Sequence, residues 1–229
     1  MTGNDALPRP RAILFDWDNT LADNWGAIHG AMNATLVAMG RPPWTLAQSR
    51  DSIKASLRDS FPLLFGERWR EAVGIYREAF EREHLTGLRE MPAAGAMLAG
   101  LQRSGLYLAV VSNKAGRYLR VEAGHLGWTP YFGRLIGAQD AETDKPSVAP
   151  VELALAGSGL ERGADVWFVG DADIDMTCAV NAGCTPVLLR DRPPAADEFA
   201  SVRPLAHVLN CAGLADLVAQ LRVSQGAEV

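Results

Sequence analysis

The segment that decides the fold is AILFDWDNTLADN, Ala12–Asn24, an apolar run that ends in acidic residues. Its first half is typical of a buried strand, yet Asp16 and Asp18 follow it two residues apart, with Asp23 close behind. Burying a carboxylate costs free energy unless the group is paired, metal-bound or hydrogen-bonded. Two interpretations therefore stand open: the strand ends in solvent, or it ends in a functional site.

The composition is that of an ordinary water-soluble protein. The chain has 229 residues, 48% of them hydrophobic and 21% charged, which is enough apolar material for a sizeable core. The net charge of -5 gives no basic surface that would indicate nucleic acid as the main partner. The sequence shows neither an apolar run of about 18 residues nor a signal-peptide pattern. We therefore expect a cytoplasmic monomer or homodimer with no membrane partner.

Short apolar strand patterns alternate with helical patterns along most of the chain. The strand patterns are residues 11–18, 106–113, 134–140, 165–171, 185–190 and 206–210. The helical patterns between them are residues 93–103, 116–126, 148–158, 174–182 and 214–221. Nearly continuous apolar strands are typical of parallel sheets that are covered on both faces. The alternation therefore predicts an α/β fold with a doubly wound, Rossmann-like parallel sheet.

Residues 24–89 break this alternation, because they contain three helical patterns and no convincing strand. These patterns are residues 25–40, 45–61 and 67–84, the last of them amphipathic. We predict an all-helical cap domain, residues 23–89, inserted into an α/β core domain of residues 1–22 and 90–229. The cap is expected above the carboxyl end of the first strand, with hinges near residues 21–24 and 87–92.

Polar side chains end three of the predicted strands. These residues are Asp16, Asp18, Ser112, Asn113, Asp171 and Asp175. Ligands of open α/β sheets bind outside the carboxyl ends of the strands, so we expect these side chains to share one edge. Lys145, in the loop after the third strand, is placed to add a positive charge there.

Several carboxylates at one edge repel one another, so the cluster needs a cation, raised pKa values, or both. The donors are hard oxygens without a His or Cys group beside them, which favours Mg²⁺ over zinc or copper. Taken singly, each motif has an ordinary explanation. A D-x-D pair can be a solvated strand end, Ser-Asn a helix cap, and G-D-x-x-x-D a turn that starts a helix. The combination, in this order, favours a site.

Four motifs in this order resemble those of the haloacid dehalogenase superfamily. DWDNT, Asp16–Thr20, resembles the first motif, D-x-D-x-T, and VVSNK, Val110–Lys114, resembles the second, an apolar strand ending in Ser or Thr. Lys145 in DKPSVAPVELAL resembles the third, and GDADIDMTCAVNAG, Gly170–Gly183, the fourth. The helical insert after the first motif is similar to the cap of the phosphoglycolate phosphatase-like branch.

The resemblance implies a role for each motif residue. Asp16 is the expected nucleophile, which forms an aspartyl-phosphate, and Asp18 the expected acid/base, which protonates the leaving alcohol and later activates water. Mg²⁺ is expected on the Asp16 side chain, the Asp18 backbone carbonyl and Asp171, with Asp175 adjacent. The groups expected at the transferring phosphoryl oxygens are Thr20, Ser112, Asn113 and Lys145.

Asp18 separates the reactions found in this superfamily. Members that cleave carbon–halogen bonds lack an acid at the matching position, and phosphonate-cleaving members usually carry a small residue there and use a cap lysine. The resemblance therefore implies a Mg²⁺-dependent phosphatase of a small phosphorylated metabolite, similar to phosphoglycolate phosphatase. Two alternatives stay open: a phosphomutase of the β-phosphoglucomutase type, and a non-catalytic module that binds phosphate ligands.

Three basic residues in the second helical pattern of the cap are candidates for substrate recognition. Arg50, Lys54 and Arg58 recur at a spacing of four, which places them on one face of a helix. They form either a cationic patch for an acidic substrate, such as a phosphorylated carboxylate, or a solvated face. In the second case Asp51 and Asp59 are the counter-charges.

A separate prediction can be made for each of three residues inside or beside the motifs. Asn19 stands where many members of the superfamily have Gly, and Asn tolerates left-handed backbone better than most residues. Trp17 points away from the two acids beside it and is expected to pack in the core. Lys114 is either a substrate contact or a surface residue at the start of a helix.

Overall fold

A parallel sheet of six strands forms the centre of the computed structural model, which describes residues 7–53, 55–195 and 198–223. The strands are β1 (Ala12–Phe15), β2 (Ala22–Asp23), β3 (Arg89–Glu90), β4 (Tyr107–Ala115), β5 (Arg134–Ala138), β6 (Val166–Gly170), β7 (Thr185–Leu189) and β8 (Ala206–Val208). The helices are α1 (Trp25–Ala38), α2 (Leu46–Ser52), α3 (Leu57–Phe65), α4 (Trp69–Glu83), α5 (Ala94–Arg103), α6 (Gly116–His125), α7 (Ala149–Leu155), α8 (Asp173–Asn181) and α9 (Cys211–Val223). The sheet order is β5-β4-β1-β6-β7-β8, and every neighbouring pair is parallel. The predicted doubly wound α/β fold is confirmed.

The strand order reverses at β1, which lies between β4 and β6. From β1 the chain builds one side of the sheet with β4 and β5, and it then crosses back to build the other side with β6, β7 and β8. The carboxyl ends of β1, β4 and β6 are therefore neighbours. This switch point is where open α/β sheets bind their ligands.

Helices cover both faces of the sheet, and alternate residues of β1 pack on opposite faces. Ile13 and Phe15 belong to the cluster that includes Leu98 of α5, whereas Leu14 packs with Val151 of α7. All four residues of β1 are fully buried. Burial on both sides explains the unbroken apolar pattern of this strand.

Helices α1, α3 and α4 form a hydrophobic core of their own between β2 and β3. Its members include Met32 of α1, Phe61 of α3, and Tyr76 and Phe80 of α4, and Tyr118 of α6 joins it from the sheet side. The predicted helical insert is therefore present as a separate cluster of helices. Among the described helices, none is both long and apolar enough to cross a membrane.

The chain leaves and re-enters the sheet region through a short antiparallel ribbon. Ala22 and Asp23 of β2 pair with Glu90 and Arg89 of β3. The two segments predicted as hinges are thus paired with each other. Hinge motion and the division into a core and a cap domain stay predictions.

The single helix predicted over residues 45–61 is wrong, because the chain forms two helices there. Thr45 caps α2 by accepting from the Gln48 N–H, and α2 ends at Ser52. Ile53 then leaves the helical region, with φ -96° and ψ 83°, and Ser56 takes the N-cap position of α3. Ser and Thr favour cap positions because their hydroxyl can accept a free N–H of the first turn, as that of Thr45 does; the Ser56 hydroxyl donates to Asp59 instead.

Candidate active site

Asp16 lies at the carboxyl end of β1, and the ammonium of Lys145 binds its carboxylate. The Asp16 N–H donates to the Val169 carbonyl (2.9 Å), so the residue continues the extended path of β1. Lys145 Nζ donates to Asp16 Oδ1 (2.6 Å) and to Asp175 Oδ1 (2.7 Å), and the lysine side chain is only 2% exposed. Burial alone would lower the pKa of Lys145, but the two carboxylates more than offset it and raise that pKa. Lys145 is therefore a fixed positive charge.

Three carboxylates meet beside this lysine. Asp16, Asp171 and Asp175 each offer one oxygen, and these oxygens all lie within 4.8 Å of one another. Burial is the main cause that raises the pKa of Asp171 to about 7 and the pKa of Asp175 to about 6, and repulsion between neighbouring carboxylates adds to it. One lysine faces three carboxylates, so negative charge is in excess. Hard oxygen donors with excess negative charge fit a divalent cation.

Local backbone geometry fixes Asp175 in the first turn of α8. The Ala172 N–H donates to Asp175 Oδ2 (3.1 Å), which orients the carboxylate toward the cluster. Gly170 leaves the space that this side chain needs, because a Cβ at residue 170 would lie 2.3 Å from Asp175 Cγ. The G-D-x-x-x-D spacing therefore has a steric cause as well as a chemical one.

Asp18 lies in a different environment from Asp16, although only Trp17 separates them. Lys114 Nζ donates to Asp18 Oδ1 (2.8 Å), and the Asp18 side chain is 20% exposed. Desolvation raises the pKa of Asp18 to about 7; the carboxylates of Glu122 and Asp16 add to the rise, and Lys114 opposes it. A carboxyl group with this pKa can both give and take a proton near neutral pH.

The turn after the second acid leads back toward the carboxylate cluster. Asn19 has a φ of +65°, the left-handed conformation that its side chain tolerates. Asn19 Nδ2 donates to Asp171 Oδ2, which ties the first motif to the fourth. The N–H groups of Leu21 and Ala22 both donate to the Trp17 carbonyl (3.0 Å each), which closes the turn.

The side chain of Trp17 is fully buried and confirms the packing prediction. Its ring lies edge-on to that of Trp128, with the centroids 5.7 Å apart. Its Nε1 donates to Glu122 Oε2 (2.8 Å). The residue between the two acids is therefore fixed by both packing and a buried hydrogen bond.

The remaining predicted phosphate-binding residues differ in their contacts. Ser112 is buried, and its Oγ accepts from the Lys114 N–H (3.2 Å). Asn113 holds the backbone of Lys145: its Oδ1 accepts from the Lys145 N–H (3.0 Å), and its Nδ2 donates to the Lys145 carbonyl (3.3 Å). Thr20 is fully buried, and among the described residues its Oγ1 has no hydrogen-bond partner. The roles of all four toward a phosphoryl group stay predictions.

Two buried charges at this edge were missed by the sequence reasoning. Lys114 is 4% exposed and binds both Asp18 and Glu122, so the surface alternative for Lys114 is wrong. Glu122 is fully buried in α6. A sequence signal existed, because Glu122 stands four residues after Tyr118 and three after Leu119, on the apolar face of that helix.

Arg190 was missed as well, and it holds the loop that carries Asp171. Arg190 Nη1 donates to the Asp171 carbonyl (3.3 Å), and its guanidinium makes two hydrogen bonds of 2.6 Å to Glu198. The hydrogen bonds from Arg190 lower the pKa of Glu198 to about 2. Arg190 directly follows β7, so its position at the strand end was a usable signal.

The predicted single basic helix face of the cap is wrong, because Arg50 and Arg58 lie on separate helices. Arg50 in α2 is exposed and lies over the ring of Trp25 (5.5 Å). Arg58 in α3 donates to Asp144 Oδ1 (2.6 Å), directly beside Lys145. Lys54 lies outside the described residues. Arg58 therefore contacts the core next to the site, whereas Arg50 packs within the cap.

Comparison with known proteins agrees with this geometry. The model of the haloacid dehalogenase-like hydrolase family matches residues 13–189. A phosphoglycolate phosphatase of Xylella fastidiosa is 34% identical over 178 residues, which cover 76% of this chain and 77% of the relative. A phosphoglycolate phosphatase of Photorhabdus laumondii is 28% identical over 182 residues, with coverage of 76% and 77%.

Solved structures share the same architecture. A HAD-superfamily hydrolase from Ehrlichia chaffeensis is 30% identical, with a TM-score of 0.65 over 95% of this chain and 100% of that chain. A haloacid dehalogenase-like hydrolase from Bacteroides fragilis has a TM-score of 0.81 at 21% identity, over 91% and 100% of the two chains. The second likeness shows the fold alone. Since the family model spans most of the sequence, this chain belongs to the haloacid dehalogenase-like hydrolases.

Proposed function

We propose that this hydrolase is a Mg²⁺-dependent phosphatase that cleaves a small phosphorylated metabolite through an aspartyl-phosphate on Asp16. The observation that carries the proposal is that two carboxylates, two residues apart, are bound by two different lysines. Asp16 is paired with Lys145 beside the carboxylate cluster, whereas Asp18 is paired with Lys114 and has a pKa of about 7. Such a pair suits a nucleophile and a separate proton donor.

In the first step the Asp16 carboxylate attacks phosphorus, and the phosphoryl group moves to Asp16 as the bond to the leaving oxygen breaks. A carboxylate and a phosphate dianion repel each other, so the reaction depends on positive charge held in place beforehand. Lys145 supplies this charge, because its ammonium already contacts Asp16. The Ser112 hydroxyl lies at the same edge and is the proposed donor to a phosphoryl oxygen.

Asp18 handles the proton in both steps. In its neutral form it protonates the leaving alcohol, and the resulting carboxylate then takes a proton from the water that attacks the aspartyl-phosphate. Its pKa of about 7 places both forms within reach at neutral pH. Its Oδ2 accepts no hydrogen bond from any residue that the structure describes, so this oxygen remains open to substrate.

Asp16, Asp171 and Asp175 are the residues that would hold Mg²⁺, with the Asp18 backbone carbonyl as a further proposed ligand. The donor set fits, because three hard oxygens lie within 4.8 Å of one another. When bound, Mg²⁺ offsets the negative charge of the attacking carboxylate and the phosphoryl oxygens. Asn19 orients the Asp171 carboxylate for this purpose.

A phosphorylated carboxylate is the substrate class that we propose first. The two curated relatives described above are named phosphoglycolate phosphatases. Arg58 adds support, because this cap guanidinium keeps 29% of its side chain exposed beside the loop of Lys145. Arginine binds carboxylates well through its planar set of N–H donors.

The proposal is tested by phosphate release from p-nitrophenyl phosphate and from phosphoglycolate, each with and without Mg²⁺. We expect Mg²⁺-dependent release of inorganic phosphate by the wild type, and none above background by Asp16→Asn. Asp165→Asn is the matched control, because Asp165 is an acid at the opposite edge of the sheet, paired with Arg11. Equal rates for wild type and Asp16→Asn would exclude the mechanism. Ligand binding without turnover would indicate a binding module, and an isomeric phosphate ester as product would indicate a mutase.

A further inference from the structure

Glu122 is a buried carboxylate with four polar partners, and the mechanism above uses none of these contacts. Trp17 Nε1 (2.8 Å) and Lys114 Nζ (2.7 Å) donate to its Oε2. Asn24 Nδ2 donates to its Oε1 (2.8 Å), and His84 Nδ1 lies 3.0 Å from the same oxygen. The side chain of Glu122 has no exposed surface.

Every partner of this carboxylate is a hydrogen-bond donor. Indole, ammonium and amide N–H groups donate, and His84 completes the set when Nδ1 carries its proton. A carboxylate only accepts hydrogen bonds, so Glu122 matches all four partners in these orientations.

The four partners come from separate parts of the chain. Trp17 lies between the two acids of the first motif, and Lys114 directly follows Ser112 and Asn113 in β4. Asn24 is the N-cap residue of α1, and His84 follows the last residue of α4. The first and last helices between β2 and β3 are therefore both attached to one carboxylate of α6.

Lys114 connects that carboxylate to the proposed acid/base. Its Nζ lies 2.7 Å from Glu122 Oε2 and 2.8 Å from Asp18 Oδ1, and 5.2 Å from the centre of the Phe80 ring in α4. The ammonium is thus enclosed by two carboxylates and an aromatic face. One oxygen of Asp18 is held by this cation, and the other is left for substrate.

We propose that Lys114 is a positioning residue that fixes the carboxylate of Asp18, and that Glu122 fixes Lys114 in turn. Asn24 and His84 bind the same Glu122 carboxylate. The positions of helices α1 and α4 are therefore coupled to the position of the Asp18 carboxylate through Glu122 and Lys114. The inference rests on the proposed function, in which Asp18 protonates the leaving group.

The test compares two esters with wild type and Lys114→Met. p-Nitrophenolate leaves without much help from an acid, whereas the alcohol of phosphoglycolate needs a proton from a well-placed donor. We expect Lys114→Met to lower kcat for phosphoglycolate by about 100-fold and kcat for p-nitrophenyl phosphate by less than about tenfold, with little change in KM. A merely structural role would lower kcat for both esters by the same factor, and that result would overturn the proposal.

Arg117→Met is the matched control, because Arg117 also links α6 to α4. Its ion pair with Glu81 (2.7 Å) is exposed and does not touch Asp18. We expect this variant to leave the ratio of the two kcat values unchanged. If Arg117→Met changed the ratio as Lys114→Met does, any loss of contact between the helices would explain the effect, and the specific role of Lys114 would be wrong.

Asp18→Asn provides a second, independent readout. If Lys114 acts through Asp18, Lys114→Met in the Asp18→Asn background changes kcat for phosphoglycolate by less than about twofold, against the much larger loss expected when Asp18 is present. Full additivity of the two substitutions would contradict the proposal.

Asn24→Leu tests the coupling between helix α1 and Asp18. We expect kcat for phosphoglycolate to fall about two- to tenfold, and kcat for p-nitrophenyl phosphate to stay unchanged. An unchanged ratio would exclude transmission from α1.

Loss of Lys114 alone leaves the carboxylates of Asp18 and the buried Glu122 without the cation between them, so that variant can fail to fold. The double variant Lys114→Met with Glu122→Gln removes one positive and one negative charge, which keeps the buried charge balanced. The double variant is expected to keep the leaving-group defect; a normal kcat ratio in a folded double variant would overturn the proposal. Failure of the proposed function is recognised separately, since Asp16→Asn would then turn over as wild type does.

Discussion

Lys145 Nζ lies 2.6 Å from Asp16 Oδ1, although 129 residues separate the two in sequence. The same ammonium is 2.7 Å from Asp175 Oδ1, so one buried cation joins the end of β1 to the start of α8. Such a cation serves the fold and the chemistry at once. It offsets part of the negative charge of the carboxylate cluster in the resting protein, and in the proposed reaction it attracts the phosphoryl oxygens.

Lys145→Met is expected to destabilise the protein. Asp16 and Asp175 would both lose the lysine that they contact, and breaking such a buried ion pair costs about 3 kcal/mol of unfolding free energy. Urea denaturation of wild type and variant measures the loss. Arg68→Met is the control, because its exposed ion pair with Glu71 should contribute little. Equal losses for the two variants would contradict this assignment.

Without metal, the stability of the protein is expected to fall as the pH rises. The folded-state pKa values of Asp18, Asp171 and Asp175 are about 7, about 7 and about 6, above their ordinary value of 3.8. The folded protein therefore holds protons that the unfolded chain releases. This contribution is complete below the unfolded pKa and is lost as the pH rises through about 6 to 7. Thermal unfolding in EDTA at about pH 5 and about pH 8 measures it.

Two comparisons isolate the cluster from other titrating groups. Asp171→Asn should reduce the pH dependence in EDTA, and Asp165→Asn at the opposite edge should not. Mg²⁺ should raise the unfolding temperature of the wild type more at high pH, where protons no longer compete for the carboxylates. If Asp171→Asn left both the pH dependence and the Mg²⁺ effect unchanged, the cluster would not be the metal site.

Gly170→Ala is expected to destabilise the protein by about 1–3 kcal/mol. Its Cβ would lie 2.3 Å from Asp175 Cγ, so the carboxylate must shift and the affinity for Mg²⁺ should fall. Gly74→Ala in α4 is the matched control, because no atom lies within 4 Å of a Cβ there. That variant should be neutral or slightly stabilising, as alanine is favoured over glycine inside helices. Both changes are read from urea denaturation and Mg²⁺ titration.

Arg58→Met is expected to lower kcat/KM about tenfold for p-nitrophenyl phosphate, because it leaves the buried Asp144 beside Lys145 without its guanidinium. The loss for phosphoglycolate should be larger, because its carboxylate also loses a proposed donor. Asp144 would keep only the Gln139 N–H as a partner at Oδ1, and its Oδ2 already has none among the described residues. Arg41→Met is the control, since Arg41 lies over the Phe65 ring of the same helix, α3. The measurement is the steady-state kcat/KM of Arg58→Met and of Arg41→Met with p-nitrophenyl phosphate and with phosphoglycolate. Unchanged kinetics in Arg58→Met would show that this contact does not support the site.

Much of the fold was predictable because strand and helix patterns are local. The segment Val166–Gly170 is apolar throughout and fully buried in β6, and it is followed by the acids of the fourth motif. Parallel strands in an alternating order bring their carboxyl ends together, so the meeting of Asp16, Lys145 and Asp171 followed from topology. The break between α2 and α3 was harder to see, because basic residues at a spacing of four also fit one continuous helix through the cap residue Ser56.

The contacts of Lys114 and Glu122 could not be read from spacing alone. Both residues carry charge, and charged residues usually remain at the surface. Their burial depends on Trp17, Asn24 and His84 arriving from distant segments to satisfy one carboxylate. The hydrogen bonds between the Asn113 amide and the Lys145 backbone likewise join two segments that are distant in sequence. Pairings of this kind are decided by the tertiary structure.

In the proposed mechanism Asp16 carries the phosphoryl group during turnover, and acid quenching can trap that intermediate. Wild type and Asp16→Asn are mixed with a radiolabelled phosphate ester and Mg²⁺, quenched in acid within one turnover, and digested for peptide analysis. We predict a label on the peptide that contains Asp16, released by hydroxylamine as an acyl phosphate is, and no label in Asp16→Asn. Rapid phosphate release by the wild type without any labelled protein, or undiminished release by Asp16→Asn, would exclude an aspartyl-phosphate on Asp16.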